Sequence, residues 1–282
     1  MFNTCESSQL SWYRTRHRFM HYGEFDTIER LQEYQKQASA QKLATYILGN
    51  GSNTLFSAPT VQTVILKNTF PRTIEALGNN RFRISSSVPL MQILRYCLKH
   101  NLESFYYLSS VPAQLGGALA MNAGRGKAFN LSIFDFVESV TYVENGLLTT
   151  LEKKDIHTDY RKTIFTGIQN CFIISAVLHF PARAHTQENP ILERIHWAKE
   201  HQDHSLPNCG SVFSECNRHI MHMLKGKSYT NAKWSDKTAN WLVNTDKTGV
   251  SNSDAMLKLI KSARLYHSLL LQNCKTELIL VS

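Results

Sequence analysis

No run of about 18 apolar residues occurs in the 282-residue chain, so no segment is expected to cross a membrane. The opening stretch, MFNTCESSQLSWYRTRHRF, lacks the basic-then-apolar order of a secretory signal, and the chain reads as cytoplasmic. The six cysteines, at 5, 97, 171, 209, 216 and 274, form no C-x-x-C pair, which leaves zinc and dithiol motifs without support. Without a secretory signal, reduced thiols are the default. There is no long Lys/Arg block. The densest basic cluster is RTRHR at Arg14–Arg18, so nucleic acid is not an expected partner. His219 and His222 are spaced for one helix face, but no carboxylate or cysteine stands at ligand spacing, and no metal is expected. No internal repeat, low-complexity tail or clean G-x-G-x-x-G opening a βαβ unit is present, so a Rossmann domain is not indicated.

What remains is an ordinary globular composition, 43% hydrophobic and 19% charged, long enough for two or three modest domains. The formal net charge of +9 favours an anionic ligand. Residues 24–42 have helical spacing and good helix formers. ATYILGN, VQTVILKN and RFRISSSV read as strands, and PLMQILRYCLKHNL places Leu90, Ile93, Leu94, Cys97 and Leu98 on one helix stripe. FDFVESVTYVENGLLTTLEKKDI reads as strand, Asn-Gly turn, strand. CFIISAVLHF is a strand, NPILERIHWAKEHQ a helix, ANWLVN a strand, SNSDAMLKLIKSARLYHSLLLQ a helix, and TELILVS a last strand. Ser251, Ser253 and Asp254 are candidate caps for the long helix. The mixture predicts an α+β fold with a boundary near Pro181.

Two segments stand out. Leu48-Gly49-Asn50-Gly51-Ser52-Asn53 leaves a strand through small and polar residues and returns at once to Leu55 and Phe56. It is either a tight turn or a loop whose N–H groups face a phosphate. Ser109 to Gly126 carries Pro112, the pair Gly116-Gly117, and Met121-Asn122-Ala123-Gly124. Its small side chains suit close approach to a flat ligand or tight helix-on-sheet packing, and local features favour neither.

LGNGSNTLF, VPAQLGGALAMNAG, DYRKTIF, CGSVF, AKWSDKTANWLVN and the terminal TELILVS occur in the order seen in UDP-N-acetylenolpyruvoylglucosamine reductases. From about residue 24 to the C-terminus the chain resembles that family. The resemblance implies a two-subdomain FAD-binding module of the vanillyl-alcohol-oxidase type, residues 1–68 and 69–181, followed by an α+β substrate domain, 182–282. It implies non-covalent FAD, with neither loop containing a histidine or cysteine to link it, NADPH as reductant, a UDP-sugar substrate, a role in peptidoglycan precursor synthesis, and a monomer. Residues 48–53 would hold the pyrophosphate, and Pro112, Gly116, Gly117 and Met121–Gly124 would pass along the flavin. The length suits the shorter family type, with no room between Cys171 and Ser211 for an extra substrate-covering insertion.

The implied reaction adds a hydride to the vinyl carbon of an enolpyruvyl ether and a proton to its neighbour. That needs a cation, a positioned acid and a group that steadies the enolate. By resemblance, Arg161 grips the substrate carboxylate, with Tyr160 beside it, Ser211 delivers the proton, and Glu277 assists with a raised pKa. Asn240 is placed among the substrate residues, and Cys209 and Cys216 are read as bystanders. Several elements depart from the family pattern. YRTRHRFMHYGEF carries the single Gly23 where a Gly-Gly element is usual, and Asn50 replaces a glycine, tolerated because asparagine accepts positive φ. SSVPAQ puts Ser110 and Ala113 at glycine positions, GRGKAFN replaces Gly-Ala-Tyr-Gly-Gly, SECN follows GSVF, and TNAKWS replaces Gly-Gly-Ala-x-Val-Ser. These departures leave room for a related flavoprotein with another substrate, or for a non-catalytic nucleotide-binding remnant.

Overall fold

The computed structural model describes residues 1–144, 146–167, 171–184 and 188–282. Asn145, half of the predicted Asn-Gly turn, lies outside them. The chain forms two compact units, one of residues 23–49 and 66–198, the other of residues 1–22, 50–65 and 199–282. The segment 1–68, expected as one subdomain, is thus shared between the two.

In the first unit, helix α1 (Ile28–Ala40) starts where Thr27 accepts a hydrogen bond from the Arg30 N–H. The sequence placed this helix from residue 24. Glu24 and Phe25 instead finish a strand, His17–Phe25, which buries His17, Phe19, Gly23 and Phe25 by alternation. The central sheet has the order Leu147–Glu152, Val137–Glu144, Cys171–His179, Arg81–Ser85, Ile74–Gly78, antiparallel throughout. Helix α2 (Leu90–Lys99) buries Leu90, Ile93, Leu94 and Cys97, four of the five predicted stripe residues; Leu98 is half-buried beside the same core. Full burial of such side chains is worth about 1.5–3 kcal/mol each, enough to fix the helix orientation. Helix α3 (Leu115–Ala120) lies inside the second glycine-bearing segment, as its helix-on-sheet reading allowed. Helix α4 (Pro190–His201) follows.

In the second unit, a four-stranded antiparallel sheet runs Asn208–Ser211, Trp241–Asn244, Ala232–Trp234, Ser228–Tyr229. Helices α5 (Arg218–Leu224) and α6 (Asp254–Leu269) share its core with Trp234, Leu242, Met256, Ile260 and Tyr13. Tyr13 belongs to a hairpin region that the sequence left unassigned: Asn3–Ser7 pairs antiparallel with the following strand, Ser7 opposite His17. Ser253 occupies the α6 cap position, but its hydroxyl donates to the Phe56 carbonyl, and the Ser251 hydroxyl donates to Asp246. Asn252 instead accepts from the Asp254 N–H. The capping reading is corrected because both hydroxyls have stronger tertiary acceptors. The last strand, Ile279–Val281, pairs in parallel with Thr54–Phe56, Ile279 opposite Thr54. Among the described residues no helix is long and apolar enough to cross a membrane.

Candidate active site

The loop after strand Thr45–Leu48 turns at Gly51, whose φ of 68° lies in the left-handed region. A Cβ there would stand 2.2 Å from the Leu10 carbonyl oxygen, so glycine is required both by conformation and by space. Asn50, expected to tolerate positive φ in place of a glycine, is not called on to do so. Cys209, read as a bystander to the chemistry, has a buried thiol 3.6 Å from the Gly51 carbonyl oxygen and 3.7 Å from that of Thr54, and burial pushes its pKa up to about 12. Trp12 N–H donates to the same Gly51 carbonyl at 3.1 Å.

In the first unit, the Gly49 carbonyl accepts from the half-buried Lys67 ammonium, whose pKa burial lowers and Glu24 partly restores. Lys67 was missed by sequence reasoning; the signal was a lysine inside the apolar strand Val64–Asn68. The glycine pair of α3 resolves into two different roles. A Cβ on Gly116 would come within 2.9 Å of Ser86 Cβ, and Gly116 N–H donates to the Ser86 carbonyl at 2.9 Å, so this glycine serves helix-on-sheet packing. A Cβ on Gly117 would meet nothing within 4 Å. The same segment holds two fully buried polar atoms with no hydrogen-bond partner among the described residues, Gln114 Oε1 and Asn122 Oδ1, and Tyr107 OH just before it is a third. Buried polar atoms are nearly always paired in a finished structure. Open space at Gly117, a cation at Gly49, unsatisfied buried polar atoms and the absence of carboxylates from residues 48–53 and 112–124 fit a large, anionic, hydrogen-bonding ligand such as FAD.

Arg161 has φ 59° and turns its guanidinium onto the segment's far end, Nη2 donating to the Gly124 carbonyl at 2.9 Å and Nη1 reaching that of Asn122 at 3.5 Å. Asn122 Nδ2 donates to the Asp159 carbonyl at 2.9 Å. Tyr160 stacks its ring 5.2 Å from both the Arg161 guanidinium and the Lys127 ammonium. Burial raises the Tyr107 phenol pKa, Asp135 raises it further, and Arg161 opposes. Met121 and Ala123 complete the turn: Met121 N–H donates to Gly117, Ala123 N–H to Ala118. Ser110 and Pro112 precede α3 in irregular backbone.

The second unit brings Ser211, Glu277, Asn240 and Asn53 together. Gly210, at φ 77°, turns the chain into half-buried Ser211. The Glu277 N–H donates to the Val212 carbonyl at 2.9 Å, which sets Glu277 beside the residue after Ser211. Asn53 Nδ2 donates to the Glu277 carbonyl at 3.1 Å. Asn240, placed by sequence among the substrate residues, uses both ends of its amide on Phe213: Oδ1 accepts from its N–H at 3.0 Å and Nδ2 donates to its carbonyl at 2.8 Å. Its carbonyl also accepts from Val212 N–H at 2.9 Å. Asn240 therefore locks the strand that follows Ser211. Ser52 and Leu48 flank the loop, Leu48 fully buried.

The pattern of an FAD binding domain matches residues 22–150. The crystal structure titled UDP-N-acetylenolpyruvylglucosamine reductase (MurB) from Thermus caldophilus is similar over 100% of both chains, with a TM-score of 0.80 at 19% identity, and shows the same fold. Fold, FAD pattern and glycine-bearing segments define an FAD-dependent oxidoreductase of α+β type. The UDP-N-acetylenolpyruvoylglucosamine reductase of Aquifex aeolicus is 33% identical over 218 residues, 73% of this chain and 71% of the relative. The enzyme of the same name from Chloroherpeton thalassium is 30% identical, over 77% of this chain and 73% of the relative. The chain belongs to the UDP-N-acetylenolpyruvoylglucosamine reductase family.

Proposed function

We propose that the protein reduces UDP-N-acetyl-3-O-(1-carboxyvinyl)glucosamine to UDP-N-acetylmuramate, with NADPH as reductant, in peptidoglycan precursor synthesis. FAD, which residues 48–53 and 112–124 would hold, would supply the two-electron redox chemistry linking the nicotinamide to the vinyl carbon. The residues around it do the rest. Ser211 gives its hydroxyl proton to the carbon next to the substrate carboxylate. A serine hydroxyl is a weak acid, but an enolate is a strong base, and a fixed geometry makes the transfer efficient. Glu277, in the break between Lys275–Thr276 and Ile279–Val281, assists that protonation. Arg161, always charged, counters the charge on the substrate carboxylate, with Tyr160 stacked against it.

The observation that supports this reading is the main-chain bond from Glu277 N–H to the Val212 carbonyl, which joins Glu277 to the neighbour of Ser211 although 66 positions separate Ser211 from Glu277. The test is anaerobic mixing of FAD-loaded protein with NADPH, then with the enolpyruvyl sugar, followed by absorbance near the flavin maximum. Bleaching by NADPH and recovery only with the sugar is expected. Recovery with oxygen alone, at every sugar concentration, would favour a relative with another acceptor.

A further inference from the structure

Gln114 stands at the start of α3 and is only 7% exposed. Its backbone is firmly held: Pro89 and Gln114 form an isolated antiparallel bridge, and the Gln114 carbonyl accepts the α3 bond from Ala118 N–H at 3.0 Å. Its side chain leaves α3 for the other glycine-bearing loop. Gln114 Oε1 lies 3.1 Å from where a Cβ on Gly49 would stand, so the amide oxygen rests against the Gly49 α-carbon. That oxygen is fully enclosed and has no hydrogen-bond donor among the described residues.

We propose that Gln114 is a cofactor-binding residue, its Oε1 accepting a hydrogen bond from a hydroxyl or imide N–H of FAD where the cofactor runs alongside Gly49 and the start of α3. The inference rests on the FAD reading. A carbonyl oxygen can only accept, so it selects a donor. The ionised pyrophosphate offers none. The ribityl and ribose hydroxyls and the flavin imide do. An enclosed acceptor without a donor keeps its full desolvation penalty in the apo protein, and the ligand's donor removes it. The apo fold therefore carries a cost at Gln114 that FAD relieves. Sequence reasoning passed over this residue because a glutamine in a small-residue segment has no signature of its own.

Two quantities respond in opposite directions to Gln114→Met, which keeps length and volume but removes the acceptor. Apo protein is prepared by stripping FAD, its thermal unfolding is recorded, and FAD is titrated back by quenching of flavin fluorescence. The apo variant should unfold at the same or a higher temperature than apo wild type. Its FAD affinity should fall roughly three- to tenfold, the net value of one buried hydrogen bond. A parallel titration with riboflavin locates the donor: weakening there too puts it on the ribityl–flavin half, weakening with FAD alone puts it on the adenosine half. An apo variant that is markedly less stable or fails to fold shows that Gln114 is a packing residue and overturns the proposal. Unchanged FAD affinity overturns it as well. Failure of the wild-type protein to take up FAD is a different result, and it would remove the FAD reading itself.

Discussion

Asn53 and Glu277, 224 residues apart, are joined by a hydrogen bond from the Asn53 amide to the Glu277 carbonyl at 3.1 Å, and the Asn53 carbonyl accepts from Ile279 N–H at 3.0 Å. The glycine-bearing loop is thereby clamped to the segment between Lys275–Thr276 and Ile279–Val281, where Glu277 lies. Asn53→Ala should lower stability by about 1 kcal/mol, the net worth of a typical hydrogen bond. Reoxidation by the enolpyruvyl sugar should slow more than reduction by NADPH, because the proposed mechanism uses Glu277 only in the former. Calorimetry and stopped-flow absorbance check the two halves; equal slowing of both would deny the clamp a role in the second.

Ser211→Ala should leave FAD content and NADPH reduction near wild type, since neither needs a proton delivered to substrate carbon. Reoxidation by the sugar should drop by roughly a hundredfold to ten-thousandfold, the usual cost of losing a positioned acid. Single-turnover traces decide the matter. If both halves slow together, or neither does, Ser211 is not the donor.

Gly51→Ala and Gly117→Ala should behave as opposites. At Gly51 a methyl would run into the Leu10 carbonyl at φ 68°, so the variant should lose about 1–3 kcal/mol to backbone strain alone and purify without FAD. At Gly117 the methyl enters open space, so the apo protein should gain up to about 1 kcal/mol of helix propensity while binding FAD more weakly. Melting curves and the ratio of flavin to protein absorbance report both. A Gly117→Ala protein with wild-type FAD affinity would mean that the open side does not face the cofactor.

Arg161→Lys keeps the charge but loses the planar fork that spans the Asn122 and Gly124 carbonyls. The expected result is a higher KM for the enolpyruvyl sugar and slower reoxidation, with NADPH reduction spared. Steady-state kinetics in both substrates measure it, and an unchanged KM for the sugar would move the carboxylate contact elsewhere.

His17 is buried, its Nδ1–H donating to the Ala58 carbonyl at 2.7 Å and its Nε2 2.9 Å from Thr15 Oγ1, positioned to accept from that hydroxyl. Burial lowers its pKa, against smaller opposing effects from the Ala58 carbonyl and Asp254. The unfolded chain then binds a proton before the folded one does, so this contribution to stability is complete above about pH 6.5 and is lost as pH falls toward the lowered folded value. Denaturation midpoints between pH 7 and 5 should decline in wild type and decline less in His17→Gln. Parallel slopes would assign the acid sensitivity to other groups.

The amphipathic stripe of α2, the long α6, the strands Thr45–Leu48, Val64–Asn68, Arg81–Ser85, Val137–Glu144 and Cys171–His179 and the two glycine-bearing segments were legible in the sequence. Each is written in a window of a few residues, by periodicity or by turn chemistry, and backbone sterics read such windows the same way in most contexts. Motif order was legible too, and with it the family.

Other features were settled only when distant segments packed. No local pattern says that Leu10 will place its carbonyl over Gly51, that Cys209 will sit beneath the same turn, or that Gly116 packs on Ser86 while Gly117 stays open. Ser253 has the look of a helix cap, yet its hydroxyl is taken by Phe56, 197 positions away. Asn240 looks available to a ligand, yet Phe213 occupies both ends of its amide. The physical reason is common to all of them. A polar group commits to whichever partner remains when water is excluded, and exclusion is a property of the assembled core, so which groups are spent and which, like Gln114, are left wanting a partner is decided by the tertiary structure.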